Sequence, residues 1–148
     1  MAAQALPHHY QVKATGKPDT YLALSVVNMP DLVVAPPAQF GGPGDEWSPE
    51  DLFMASIASC FILSFKAIAR ASKFSWLSIE CDSEGLLEKV EGLTQFSKIV
   101  TRANLVIPAT QSIEKAERLL HKAEQSCLVV NSLSSTSQLE CLVTVEDV

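Results

Sequence analysis

The hydrophobic residues of this chain change period along its length. Over 76–82 they alternate, Leu77, Ile79 and Cys81 against Ser78, Glu80 and Asp82, which predicts a half-buried strand with Cys81 facing the core. The same alternation over 138–146 sets Leu139, Cys141, Val143 and Val145 inward. The stretch 95–107 reads as a long strand ending at Pro108, with a turn or extended hairpin over 84–94. Nearer the N-terminus, 8–15 and 20–27 read as strands joined through Gly16-Lys17-Pro18-Asp19. A short strand is expected at 32–35, inside a Pro- and Gly-rich, irregular segment over 28–47. At 112–126 the period switches, and Ile113, Ala116, Leu119, Leu120 and Ala123 fall on one helical face.

A second helix is predicted over 48–73. Ser48 suits its cap and Pro49 its first position, while Glu50 and Asp51 complement its positive end. It is apolar nearly all round from Leu52 to Ile68, so it is expected to be buried on every side. The element order gives an α+β protein, largely antiparallel sheet around a long buried central helix, in one domain over 1–148. A single chain of this size has trouble covering such a helix, and a second copy of the chain, in a homodimer, would cover it.

Composition narrows the function. With 47% hydrophobic residues, a net charge of −6 and a pI near 5.0, the chain has a globular core and no basic stripe of the kind that nucleic acid or anionic lipid requires. The first residues lack a basic segment followed by an apolar run, so a cytoplasmic protein is expected. The most apolar run, 55–65, is short of the ~20 residues of a membrane span. Four cysteines, at spacings of 21, 46 and 14, match neither a zinc pattern nor a secreted disulfide framework, and are expected as thiols. No carboxylate or cysteine stands at ligand spacing from His8-His9, so no metal is expected.

Context sorts the thiols. Cys81 and Cys141 lie on inward strand faces, where a thiol behaves as a small hydrophobe. Cys60 and Cys127 sit among small or hydroxyl residues, and local context alone leaves Cys60 open as core filler or nucleophile. Two longer motifs bear on the choice. "APPAQFGGPGDEWSPEDLFMASIASCFILSF", from Ala35 to Phe65, resembles the signature of the OsmC/Ohr family of thiol-dependent peroxidases, and "HKAEQSCLVVNSL", from His121 to Leu133, resembles that family's second cysteine motif.

The resemblance, which extends over about 10–145, implies an OsmC-like fold, an intertwined form of the homodimer and an antioxidant oxidoreductase that reduces organic hydroperoxides to alcohols. It implies that Cys60 is the peroxidatic cysteine, Cys127 the resolving one and Glu50 the family's acidic residue, with a redox-active disulfide, no separate cofactor and a dithiol reductant such as a lipoylated protein. It also implies a role in the oxidative stress response. The chain departs from the family in its first turn, where Gly-Gly-Arg-Asp becomes Gly16-Lys17-Pro18-Asp19 and the arginine is lost; Leu128 also replaces a proline. Only a thiolate attacks the O–O bond, and a thiol among Ile57, Phe61 and Leu63 needs a nearby cation to ionise. Lys17 and Arg102 are the candidate activating cations, with Lys17 a weaker substitute than a guanidinium. Glu50 and Cys60 stand ten residues apart, about 15 Å along one helix, so they act together only if two chains meet. The alternative reading is an OsmC-like small-molecule-binding or redox-responsive protein that lost efficient peroxidase activity with the arginine.

Overall fold

A computed structural model describes residues 3–148. The chain forms two compact units, one ending at Leu52 and the other Phe53–Val148. In the first, β1 (Lys13–Thr15), β2 (Leu22–Ser25) and β3 (Leu32–Val34) make an antiparallel sheet in chain order, with Lys13 opposite Ser25 and Leu22 opposite Val34. The turn between β1 and β2 is closed by the Thr20 N–H donating to the Lys17 carbonyl at 3.3 Å. The strand expected over 8–15 pairs only over its last three residues, because β2 is itself four residues long and offers no partner further back. Beyond β3 the chain runs alongside itself: the Ala35 N–H donates to the Trp47 carbonyl at 2.9 Å, and Val34 and Ala35 are buried. Gly42 is obligatory in the return, since a Cβ there would fall onto the Pro36 carbonyl oxygen.

Helix α1 (Pro49–Ala71) starts through reciprocal capping. The Ser48 hydroxyl accepts the Asp51 N–H at 3.0 Å, and the Asp51 carboxylate accepts the Ser48 N–H at 3.1 Å and its hydroxyl at 2.9 Å. Two otherwise orphaned amides are satisfied at once, an arrangement worth about 1 kcal/mol.

In the second unit, β4 (Ser78–Val90) and β5 (Leu93–Pro108) form a long antiparallel hairpin with a register shift at Leu86/Leu87. Its two-residue turn, Glu91-Gly92, has φ of 51° and 83°, the left-handed pair that a tight hairpin requires. Helix α2 (Ile113–Ser126), capped by Ser112, leads through the single turn α3 (Leu128–Asn131) to β6 (Thr136–Glu146). Strand β6 runs parallel to β5, Ala103 opposite Cys141. The sheets are thus largely antiparallel, as expected, with β6 the exception among the described strands: the α2 crossover returns the chain to the end of the sheet where β5 began, so β6 must run the same way.

Phe61, Phe65 and Ala69 of α1 pack with Ala103, Leu105 and Ile107 of β5 and Ala116, Leu119, Leu120 and Ala123 of α2. Ile79, Cys81, Leu139, Cys141 and Val143 lie against this core, whereas Leu77 and Val145 are exposed at the strand ends. Within α1 the buried residues are Ile57, Phe61, Phe65 and Ala69, one stripe at every fourth position. The expectation of burial on every side is therefore not met within one chain, and Leu63 on another side is 64% exposed. By length and mean hydropathy (1.9) α1 would also pass as a membrane span, but the stripe seated against β5 and α2 is that of a core helix.

Candidate functional site

Cys60 immediately precedes Phe61, so it lies at the margin of the α1 stripe and is half-buried. Its neighbours on the helix do not reach for it. The Ser56 hydroxyl donates to the Phe53 carbonyl at 2.6 Å and that of Ser59 to the Ala55 carbonyl at 2.6 Å, the usual back-bonding of helical serines.

Cys127 comes from the other side of the core. It ends α2, with its N–H donating to the Glu124 carbonyl at 3.2 Å, and it starts α3, and it is fully buried. Its thiol is pushed up in pKa, first by burial and further by Cys60, which interacts with it both as a side-chain hydrogen-bonding partner and as a like charge. The N–H of Val130, and more weakly that of Val129, pulls the other way by favouring the thiolate, although neither completes a capping hydrogen bond to the sulfur. Two cysteines sixty-seven residues apart in sequence are thus brought together, and both are free thiols here.

The remaining cysteines belong to the core. Burial pushes Cys81 up to about 11, a hydrogen bond with Ser83 offsetting part of the effect. Cys141 is also pushed up to about 11, by burial first and then by Glu117 and Glu124.

Arg102 faces away from the core, on the opposite side of β5 from Ala103. There its Nε donates to Glu140 at 3.0 Å and its Nη1 lies 3.5 Å from both Asp82 and Glu84. Its charge is taken up by three carboxylates. Lys17 is exposed in the β1–β2 turn and forms no ion pair among the described residues. Glu50, in the first turn of α1, has its Oε2 buried with no hydrogen-bond partner among the described residues. Glu50 also lines a cavity of about 450 Å³ in the N-terminal unit, with Tyr21, Leu22, Val34, Pro37 and Phe40 among its walls. Trp47, near by in sequence, is not in the lining. His8 bonds to Tyr10 at 3.2 Å, His121 is exposed, and no metal-ligating cluster occurs among the described residues.

Sequence reasoning passed over the Val129 and Val130 amides, and the signal that could have found them was the helical turn beginning directly after Cys127. It also passed over the cavity walls at Tyr21, Leu22 and Pro37, whose convergence depends on the β2–β3 pairing.

A sequence model of the OsmC-like protein family matches residues 42–141, which hold α1, the hairpin, α2 and both cysteines of the pair. The chain belongs to the OsmC-like family. An organic hydroperoxide resistance protein of Xanthomonas axonopodis pv. citri is 30% identical over 106 residues, covering 69% of this chain and 70% of that protein. An uncharacterized protein of Bacillus subtilis is 24% identical over 144 residues, covering 94% of this chain and 95% of its own. Among solved structures, an OsmC-like protein of unknown function from Vibrio cholerae superposes with a TM-score of 0.85 at 19% identity, over 92% of this chain and all of that one. The OsmC-like fold is therefore shared, with its two sheets and its long helix.

The raised thiols set a pH dependence for this OsmC-like chain. Unfolded, Cys81 and Cys141 ionise near the ordinary value of 9.0, whereas folded they hold their protons to about 11. Above 9 the unfolded state releases protons that the folded state keeps, so stability falls as pH rises through this window. Urea midpoints measured across it should drop more steeply in the parent than in a Cys81→Ala/Cys141→Ala variant; parallel profiles would contradict the assignment.

Proposed function

We propose that the chain is a cysteine-based peroxidase that reduces organic hydroperoxides to alcohols. The observation that supports this most directly is the meeting of Cys60 with Cys127. The family assignment and the 30% identical organic hydroperoxide resistance protein support the same chemistry. The Cys60 thiolate attacks one peroxide oxygen; an S–O bond forms as the O–O bond breaks, and the leaving alkoxide takes a proton to become the alcohol. Cys60 is then a sulfenic acid. The Cys127 sulfur attacks it, an S–S bond forms as the S–O bond breaks, and the Cys127 proton leaves with the hydroxide as water.

Burial keeps Cys127 a thiol until that moment, and the Val130 and Val129 amides help the sulfur as it loses its proton. An external dithiol, such as a lipoylated protein, then accepts the oxidising equivalents and restores both thiols. The setting is the cytoplasm.

The working form in this reading is a homodimer. One chain covers α1 along a single stripe only, and packing two such helices antiparallel would cover the rest and bring Glu50 of one towards Cys60 of the other.

A second reading has support of its own. The Glu50 Oε2 has no partner, the turn that carries the family's arginine offers only the exposed Lys17, and Arg102 is held by acids elsewhere. A chain with a lysine in place of that arginine, and with Arg102 held by acids, would be a weak peroxidase, or a binding or redox-responsive protein built on the same fold.

Four outcomes are expected. Substoichiometric cumene hydroperoxide should join Cys60 to Cys127 within one chain and leave Cys81 and Cys141 free. In a Cys127→Ser variant Cys60 should over-oxidise to sulfinic acid instead. Peptide mapping reads both, and oxidation that bypasses Cys60 would remove the mechanism. Light scattering at low micromolar concentration should give twice the chain mass of 16.0 kDa, and a stable folded monomer would dismiss the dimer. Replacing Lys17-Pro18 by Gly-Arg should raise the peroxide consumption rate at neutral pH, by about tenfold for each unit by which the thiol pKa falls while the thiol remains mostly protonated. A parent without turnover beside an active Gly-Arg variant would favour the second reading.

A further inference from the structure

Cys127 owes its place to a break in a helix. It is the single residue between α2 and α3, and with φ −68° and ψ 101° it is extended, where helical backbone has a ψ of about −42°. In an unbroken helix the Gln125 carbonyl would accept the Val129 N–H and the Ser126 carbonyl the Val130 N–H. The break releases both amides, and both act on the Cys127 sulfur. It also sets the direction of that side chain, which meets Cys60 of α1.

Little in the local sequence forces this break. A proline at 128 would do so, because the residue before a proline is kept out of the helical region, but Leu128 stands in its place. Leu128, Val129 and Val130 are all residues that helices carry. The break is held by hydrogen bonds from Asn131 instead. Its N–H donates to the Cys127 carbonyl at 3.0 Å, and its Nδ2 reaches back to donate to the Gln125 carbonyl at 3.1 Å, the acceptor that the break deprives of its helical donor. The nearby serines stay on their own sides: the Ser126 hydroxyl donates to the Lys122 carbonyl at 2.9 Å and that of Ser132 to the Leu128 carbonyl at 2.8 Å. Among the described residues, Asn131 alone sends a side-chain hydrogen bond from α3 back to α2.

We propose that Asn131 is a positioning residue for the resolving thiol: by occupying the Gln125 carbonyl, its side chain keeps α2 from running on through Cys127 and so holds the Cys127 sulfur at Cys60. In the resolving step that sulfur displaces hydroxide from the Cys60 sulfenic acid. The S–S bond forms as the S–O bond breaks, and the Cys127 proton leaves with the hydroxide as water. Without the Asn131 bond this step competes less well with a second peroxide, which takes Cys60 on to sulfinic acid. The step rests on the peroxidase reading; the placing of one sulfur beside the other does not, and the two are tested apart.

Equilibrating the folded full-length chain with glutathione and glutathione disulfide needs no peroxide, since each Cys60–Cys127 bond made turns one glutathione disulfide into two glutathiones. Peptide mapping across the buffers reads the stability of that bond. In Asn131→Ala it should fall about fivefold, the worth of one exposed hydrogen bond. Leu128 is the first residue of α3, a position that accepts proline, so Asn131→Ala/Leu128→Pro should recover to within about twofold of the parent by making the break another way. With excess cumene hydroperoxide, the ratio of Cys60 sulfinic acid to disulfide should rise about fivefold in Asn131→Ala, while the rate at which the Cys60 thiol is consumed stays within about twofold of the parent's. Unchanged disulfide stability in Asn131→Ala would overturn the proposal. So would a loss that the proline does not repair, the mark of a bond that is merely structural. The expected glutathione results in a chain that ignores peroxide would uphold the role of Asn131 and remove the peroxidase reading.

Discussion

The geometry of the thiol pair depends on one packing interaction, the seating of Ile57, Phe61, Phe65 and Ala69 in the core. That stripe fixes the rotation of α1 about its axis. Cys60, one residue from Phe61, is thereby held at the edge of the core, where a thiol has a buried neighbour on one side and remains half accessible on the other. Cys127 is set with equal firmness, because it is at once the end of α2 and the start of α3, and the buried residues of α2 leave that junction little freedom. Two helix-borne groups held by separate parts of one core keep their spacing better than loop residues would.

The four thiols divide by what opposes their ionisation. At Cys81 and Cys141 desolvation dominates, and the nearby carboxylates Asp82, Glu117 and Glu124 add to it. Both are packed against the core. At Cys127 desolvation also leads, yet it is opposed by backbone amides that no side-chain substitution can remove. The strongest cation among the candidates, Arg102, is spent on Asp82, Glu84 and Glu140 on the far face of the sheet, where it ties the three strands together.

What could be read from the sequence was what is local. The cap at Ser48 and the faces of α2, β4 and β6 follow from spacing within a few residues, and they stand where spacing put them except at the element ends, where Ile113, Leu77 and Val145 are exposed. The direction of β6 was not legible, because alternation is the same for parallel and antiparallel pairing and only the length of the crossover distinguishes them. Nor was the single buried stripe of α1. A helix apolar on all sides announces that it needs cover, but not how much of that cover its own chain provides. The approach of Cys127 to Cys60 was legible only through motif resemblance, since nothing in the spacing of two cysteines sixty-seven residues apart tells which helix end meets which. The unpaired oxygen of Glu50 could not be read at all, for it is defined by what its neighbours fail to offer.

The hairpin β4–β5 and the crossover strand β6 leave β4 and β6 as the two edges of their sheet. An open edge carries unpaired amides and carbonyls and invites a strand from another molecule. Here the outward positions of those edges hold Glu80, Asp82, Glu84 and Glu88 on one side and Glu140 and Glu146 on the other, all exposed. Like charges facing any second copy that approached edge to edge would keep the sheet from growing. The acids on these strands that Arg102 does not hold, Glu80, Glu88 and Glu146, are in that sense a guard against aggregation, placed where the backbone is most open to being extended.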